Sequence, residues 1–372
     1  MRSLPAEMQA LLWDGSAYPE GLRWSTLPRP QPAPGWVILH NRATGICGSD
    51  LHYLSGGMRH QVPDANLPAV LGHENAGVVV EVGPGVEGWA VGDRVAAEPL
   101  HPCATQNLGP CPACQAGQYH LCAHLGHVGI PANLRLPGGF GPYSPVHAGC
   151  LFRLPDHVSL EDAAILDVLA CCVHALRLGD PNPGQVALVL GCGAIGLDML
   201  QTLRAVGVTD VLAVARYPFQ AALARQMGAA EVVCLEDQPD AVSAIRHLAG
   251  RVDQVYECVG GSADTVQQAV DICRPGGRII VLGFFNAIRP VNLCTFFLKE
   301  LDIQAADGYS MWGERREFGM ALELLARGQV DHRALVTHRY PRDEWATALA
   351  VAFDKRRHQS TKVVLTAPEL GS

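Results

Sequence analysis

No uninterrupted apolar run in the 372 residues approaches the ~18–20 that a membrane-crossing helix needs. Basic charge is also in short supply. Lys and Arg number 28 against 36 Asp and Glu, a formal net charge of −8. Nucleic acid and anionic membrane both demand a basic face, so neither is an expected partner. The stretch from Met1 to Trp13 lacks the basic-then-apolar layout of a secretory leader. Internal repeats and low-complexity tracts are missing as well. These absences leave the expectation of a soluble, cytoplasmic protein that acts on a small molecule.

What is present is core-forming material and cysteine. Hydrophobic residues make up 48% of the chain and charged ones 17%, enough for two domains at this length. The 13 cysteines are an odd number without an export signal, which argues against a disulfide framework. Reduced cysteines are either small buried hydrophobes or metal ligands.

The texture of the chain changes along its length. Residues 1–165 are rich in Gly, Pro, His and Cys. Short apolar runs there, such as Trp36–Leu39 and Ala76–Val82, are broken by turn signals, which predicts a small β-rich core. From about 166 to 304 apolar strands alternate with helical stretches. Strands are predicted at Val186–Leu190, Val211–Ala215, Glu231–Cys234, Gln254–Cys258 and Arg278–Leu282, with helices between them. That alternation argues for an α/β fold with a parallel sheet covered on both faces. A last segment from 305 carries an amphipathic helix near Phe318–Ala326 and ends in a strand near Thr361–Leu365.

Val186–Leu190 runs straight into Gly191-Cys192-Gly193-Ala194-Ile195-Gly196, and a helical pattern follows at once. In this strand-to-helix context the first glycine permits the turn and the second admits a pyrophosphate. The third lets helix and strand pack closely, and the helix N-terminus supplies N–H groups. An NAD site places an acidic residue at the end of the next strand, where this chain has Ala215 followed by Arg216. A guanidinium there pairs with a 2′-phosphate, so NADP is favoured over NAD. The expected cofactor positions are Gly191, Gly193, Ala194, Ile195, Gly196, Ala215 and Arg216, with Val259, Gly260, Leu282 and Gly283 past later strands.

Two metal constellations stand out. Cys103, Cys111, Cys114 and Cys122 fall within twenty residues in a polar loop, and four thiolates close a structural Zn²⁺ shell. Their surroundings supply His and Gly rather than Lys and Arg, which excludes a nucleic-acid-reading finger. The second group is dispersed: Cys47-Gly48-Ser49-Asp50-Leu51-His52, then Gly72-His73-Glu74, then Asp167. A catalytic zinc needs three protein ligands and an open corner, but spacing alone does not show that these residues converge.

The run Gly72-His73-Glu74-x2-Gly77-x5-Gly83-x2-Val86 resembles the zinc motif of the medium-chain alcohol dehydrogenase family. Cys47–His52, the four-cysteine lobe, Val91-Gly92-Asp93-Arg94-Val95 and the glycine loop recur in family order, so the resemblance covers nearly the whole chain. The wording Cys-Gly-Ser-Asp-Leu-His-Tyr is most similar to the sorbitol and threonine dehydrogenase branch. The resemblance implies a GroES-like β-rich catalytic domain over 1–165 and 305–372, and a Rossmann domain over 166–304. It implies two Zn²⁺ per chain and a homodimer or homotetramer, with the active cleft between the domains. Cys47, His73 and Asp167 would bind the catalytic zinc, Asp167 directly or through water. Glu74 would be an exchanging fourth ligand or a carboxylate just outside the ligand set. Asp50 would orient His73. Ser49 would take the substrate's hydroxyl proton and His52 would carry it to solvent. The implied reaction is hydride transfer between a secondary alcohol and NAD(P). A polyol, sugar, cyclitol or amino alcohol is the expected substrate, and a simple aliphatic alcohol the alternative. A zinc-free quinone-type reductase and a non-catalytic cofactor-binding protein are the rival classes.

Three departures from the family pattern are visible. Cys103 and Cys111 enclose seven residues where relatives have two, a loop extension that adds only about a kcal/mol of closure entropy. Pro142 replaces a frequent glutamate, and the acidic NAD residue is absent. Cys150, Cys171, Cys172, Cys192, Cys234, Cys258, Cys273 and Cys294 lie in apolar surroundings and are expected to be core.

Overall fold

Trp36–Gly45 carries Val37, Ile38 and Leu39 in succession, and burial of both its faces makes it the spine of a seven-stranded sheet. Glu74–Val82 pairs with it along one edge. On the other edge Tyr143–His147 pairs with residues 36–40, and Lys362–Thr366 pairs with residues 43–45. Arg94–Ala97, Leu151–Arg153 and Val336–Pro341 complete the sheet. The predicted runs Trp36–Leu39 and Ala76–Val82 are thus the hydrophobic centres of two longer strands. Gly45 lies opposite Glu74 on one neighbour and Val364 on the other. Three segments far apart in sequence therefore end together.

The computed structural model describes residues 4–131 and 133–369. These form two compact units, 1–167 with 336–372, and 168–335. In the second unit six parallel strands run in the order Glu231–Cys234, Val211–Ala215, Ala187–Leu190, Gln254–Glu257, Arg278–Val281, Asp302–Ala305. The chain steps outward from Ala187–Leu190 on one side, then returns to its other side. That reversal beside Ala187–Leu190 is the switch point at which open parallel sheets bind ligands, beyond the carboxyl ends of the strands. Val211–Ala215 is buried throughout, as an apolar run in a sheet covered on both faces requires.

The return to the first unit falls at 335/336, later than the expected 304/305. Asp302–Ala305 is the sixth strand of the parallel sheet, and the residues after it stay tied to the same unit. Glu317, fully buried, accepts hydrogen bonds from His174 Nδ1 (2.7 Å), Arg177 Nε (2.6 Å) and the Ser310 N–H (2.6 Å). Burial presses Glu317 toward its neutral form, but His174 and Arg177 outweigh it and hold the carboxyl below its usual range. His332 Nε2 lies 3.3 Å from the buried Asp198 carboxylate, and Asp331 N donates to Gln201 Oε1.

The cysteines expected to be core need one correction. Cys150, Cys172, Cys192, Cys234 and Cys273 are buried, and Cys171 and Cys258 are half-buried. Cys294 is exposed, because the short helix Leu293–Leu298 that carries it also leaves Leu293, Phe297 and Leu298 outside. Among the described residues no helix is long and apolar enough to cross a membrane.

Candidate functional site

The first unit assembles a cation site where its strands end. Gly45 closes the central strand, and Cys47 follows two residues later as the cap of helix Gly48–Leu54. His73 immediately precedes the neighbouring strand Glu74–Val82. Because Gly45 faces Glu74 in register, Cys47 and His73 meet: one ligand atom each from Cys47, His73 and Glu74 lies within 4.8 Å of the others. Asp167, in the first turn of helix Leu166–Gly179, places Oδ2 4.0 Å from His73 Nε2. Ser49 Oγ is 3.4 Å from the same nitrogen. His73 Nε2 thus faces a hydroxyl and a carboxylate, with the Cys47 thiol in the same cluster.

The opposite nitrogen, His73 Nδ1, faces Asp50 Oδ1 at 3.6 Å, beyond hydrogen-bond length, and neither atom has another hydrogen-bond partner. Asp50 Oδ2 accepts from the Cys47 N–H at 2.9 Å, tying the two ligand loops together. Burial opposes protonation of His73, yet the Asp50 and Cys47 charges outweigh it and raise its pKa well above the usual imidazole range. A buried pocket lined by the Cys47, Asp50, Glu74 and Asp167 side chains suits a cation. The donor set, one soft thiolate, one imidazole and carboxylates, suits Zn²⁺.

Glu74 is fully buried, with Oε1 2.5 Å from Lys362 Nζ and Oε2 without a hydrogen-bond partner. A Cβ on Gly45 would sit 2.0 Å from that Oε2, so glycine is required for the carboxylate to occupy its place. Burial works against the Lys362 ammonium, but Glu74 and Cys47 overcome it and raise its pKa. Lys362 reaches the site because Ile46 N donates to Val363 O, one residue from Cys47. Sequence reasoning missed Lys362. Its one signal is a lysine inside the apolar strand Lys362–Thr366.

His52 is half-buried on the same short helix as Ser49, three residues on, so the two lie on one face. Burial and the nearby Lys355 depress its pKa, leaving it neutral and able to accept a proton. His127, also missed, sits with its ring 5.5 Å from that of His73 at 77°. Burial, then His73 and His101, push its pKa down to about 3, so its ring is neutral.

The second metal cluster is local. Cys103, Cys111, Cys114 and Cys122 bring their sulfurs within 4.8 Å of one another. Cys103 Sγ lies 3.4 Å and Cys111 Sγ 3.9 Å from Cys122 Sγ. A tetrahedron with Zn–S bonds of about 2.3 Å has edges of about 3.8 Å, so the spacing suits the ion. Backbone N–H groups of Cys114 and Ala123 bring Cys111 down to about 6, while burial raises Cys114 to about 12. Four thiolates do not share this space without a cation. The long loop before Cys111 leaves Cys103 in the cluster, and Leu108 is exposed outside it.

In the second unit the three loop glycines differ in what surrounds them. Gly191 has φ +97°, and a Cβ there would meet Val259 at 2.4 Å. At Gly193, the cap of helix Ala194–Ala205, a Cβ would meet nothing within 4 Å. At Gly196 it would lie 1.7 Å from the Gly191 carbonyl. The turn, the open cradle and the tight helix–strand contact are thus separate, as pyrophosphate binding requires. Ala194 and Ile195 begin the helix whose N–H groups face that cradle. Gly260 and Gly283 approach so closely that a Cβ on Gly283 would sit 2.3 Å from Gly260 N, and Val259 and Leu282 flank them. Ala215 ends its strand buried. Arg216 is exposed, its guanidinium 5.3 Å above the Tyr217 ring.

Comparison with known proteins gives consistent matches over both units. Residues 33–156 match the alcohol dehydrogenase GroES-like domain, and residues 194–327 match the zinc-binding dehydrogenase family. A sorbitol dehydrogenase of Arabidopsis thaliana is 34% identical over 84% of this chain and 83% of its own length. An alcohol dehydrogenase of Escherichia coli, crystallised with NADH, superposes with a TM-score of 0.85 at 26% identity, covering 98% of this chain and 100% of that one. A protein of Sinorhizobium meliloti described as a zinc-binding dehydrogenase, bound to NADP, gives a TM-score of 0.85 at 29% identity, with 98% and 100% covered.

Proposed function

This chain belongs to the zinc-binding alcohol dehydrogenase family, and from that premise we propose that it oxidises a secondary carbinol of a polyol, sugar, cyclitol or amino alcohol with NADP in preference to NAD. The convergence of Cys47, His73 and Glu74 at the end of one sheet carries this reading. Cys47, His73 and Asp167 would hold the catalytic metal, and Cys103, Cys111, Cys114 and Cys122 would hold a second ion that fixes their lobe. Zinc, when bound, supplies a Lewis acid at the substrate oxygen, and the nicotinamide ring supplies the hydride acceptor.

The chain's own groups handle charge and protons. A thiolate and the Asp167 carboxylate would balance a divalent cation, which would take the place of the proton that His73 attracts, with Asp50 facing the imidazole's other nitrogen. Lys362 holds Glu74 beside the metal position, so its charge is already matched and it serves as a reserve ligand. Ser49 Oγ, 3.4 Å from His73 Nε2, takes the hydroxyl proton. His52, on the same helix face and neutral, receives it and releases it to solvent.

Arg216 supports the NADP preference: it stands exposed at the carboxyl end of Val211–Ala215, a strand end that carries a guanidinium in place of an acidic residue. The unpaired edge at Asp302–Ala305 and the exposed Leu293, Phe297 and Leu298 support a homodimer or homotetramer. The acidic charge balance supports a cytoplasmic enzyme. A panel of polyols, sugars, cyclitols, amino alcohols and simple alcohols, read by absorbance of the reduced cofactor, tests the reading. Turnover is expected on a polyhydroxylated substrate, faster with NADP. Turnover confined to simple alcohols, or faster with NAD, contradicts it.

A further inference from the structure

The strand Gly126–His127 contributes a side chain to the metal site that the chemistry so far leaves unused. Its position is fixed by backbone. Gly129 runs so close to Gly72 that a Cβ there would lie 2.2 Å from the Gly72 carbonyl, and Val128 N donates to Pro99 O at 3.0 Å. His127 is thereby held against His73, ring to ring at 5.5 Å. Its Nδ1 lies 3.0 Å from the Val128 carbonyl oxygen. A carbonyl only accepts, so Nδ1 carries a proton, the tautomer that leaves Nε2 as the acceptor of the imidazole. Nε2 has no hydrogen-bond partner among the described residues, and it is not among the sealed, unpartnered atoms of the interior. His127 as a whole is half-buried.

An imidazole whose Nδ1 is taken by a carbonyl, and whose Nε2 stands free beside His73 but outside the Cys47, His73 and Glu74 cluster, is suited to a hydroxyl donor. We propose that His127 Nε2 accepts a hydrogen bond from the hydroxyl on the carbon next to the reacting carbinol, making this residue a determinant of vicinal-diol specificity. The proposal rests on the dehydrogenase reading of the same site. A site built to bond a substrate hydroxyl discriminates against the analogue that lacks it, because the acceptor then faces an apolar group in place of a donor.

A matched pair of probes isolates the effect: a vicinal butanediol, and the secondary butanol that differs from it only by the neighbouring hydroxyl. In the zinc-loaded enzyme, His127→Phe should lower kcat/KM for the diol by about tenfold, the worth of one lost hydrogen bond, and leave the butanol within about twofold. His127→Gln, whose amide oxygen still accepts, should recover most of the loss. Calorimetric titration of both alcohols into the zinc-loaded complex with reduced cofactor gives a readout independent of turnover. There the Kd of the diol alone should weaken, and zinc content equal to that of the natural protein shows that each variant has folded. Equal losses on both alcohols, an unchanged diol, or a Gln variant no better than Phe overturns the assignment. Failure of the natural protein to turn over these or any alcohol of the wider panel overturns the dehydrogenase reading instead, and the titration still decides the role of His127.

Discussion

The two cation sites of the first unit are built in opposite ways. Cys103, Cys111, Cys114 and Cys122 come from one loop of twenty residues, and closing that loop around an ion is a local event. Cys47, His73, Glu74 and Lys362 come from three segments that meet only because a sheet brings Gly45 opposite Glu74 on one side and Val364 on the other. The local site holds four sulfurs at distances that suit a closed tetrahedron. The dispersed site has mixed donors, a hydroxyl against His73 Nε2 and a neutral histidine alongside. A loop is enough to staple a lobe. Chemistry needs several directions of approach, and sheet register supplies them.

Substitutions in each site should separate these roles. Cys47→Ser should have the largest effect, lowering kcat on the order of a thousandfold through loss of Lewis-acid stabilisation, with melting temperature and cofactor affinity nearly unchanged. Metal analysis of that variant should find one zinc per chain instead of two. Substantial turnover by it would place the chemistry elsewhere. Lys362→Met leaves Glu74 charged, buried and unpaired, and should destabilise the first unit by about 3–5 kcal/mol in denaturant unfolding. A change below about 1 kcal/mol would mean that Glu74 does not depend on this partner.

Cys111→Ser reverses the Cys47 pattern. It should lose the other zinc and a few kcal/mol of stability, on the order of 2–4, while the fraction that stays folded keeps most of its kcat. If Cys111→Ser abolished turnover in folded protein, the division between a stapling site and a reacting site would fail. The smallest effect lies outside both sites. Arg216→Asp should shift the ratio of NADPH to NADH affinity by about tenfold to a hundredfold toward NADH, measured by fluorescence titration.

The acid limb of stability gives a further contrast, now between the two units. Glu317 has its carboxyl held below the usual range, with 4.5 as its ordinary value. Its contribution to the second unit is therefore present above that value and lost as pH falls through the lower folded one. Glu317→Gln should flatten the acid-side loss of stability in equilibrium unfolding followed from about pH 6 downward. A variant with an unchanged acid limb would remove Glu317 from the account.

How much of this was legible in the sequence follows the same division. Val211–Ala215 and Glu231–Cys234 fall where the strand signal put them, and helix Ala194–Ala205 begins where the glycine loop predicts, because these signals act over a few residues. The four-cysteine lobe is legible for the same reason. Asp302–Ala305 and the tie from Glu317 to His174 are not, since the partners are 143 positions apart, and the unit boundary moves with them. Lys362 lies 288 positions from Glu74, and a lone lysine in a strand resembles a surface residue until the register is known. Cys47 and His73 had to be named through family resemblance, because spacing carries no information about which strand ends coincide. Cys294 is exposed against expectation, because an apolar neighbourhood in sequence does not say which face of a short helix is covered.

Anomalous diffraction at the zinc edge from crystals of the purified protein tests the central claim most directly. Two peaks per chain are predicted, one bounded by the sulfurs of Cys103, Cys111, Cys114 and Cys122, the other touching Cys47 Sγ and His73 Nε2. A single peak in the cysteine lobe, or a second peak away from Cys47 and His73 in crystals grown with ample zinc, would contradict the account.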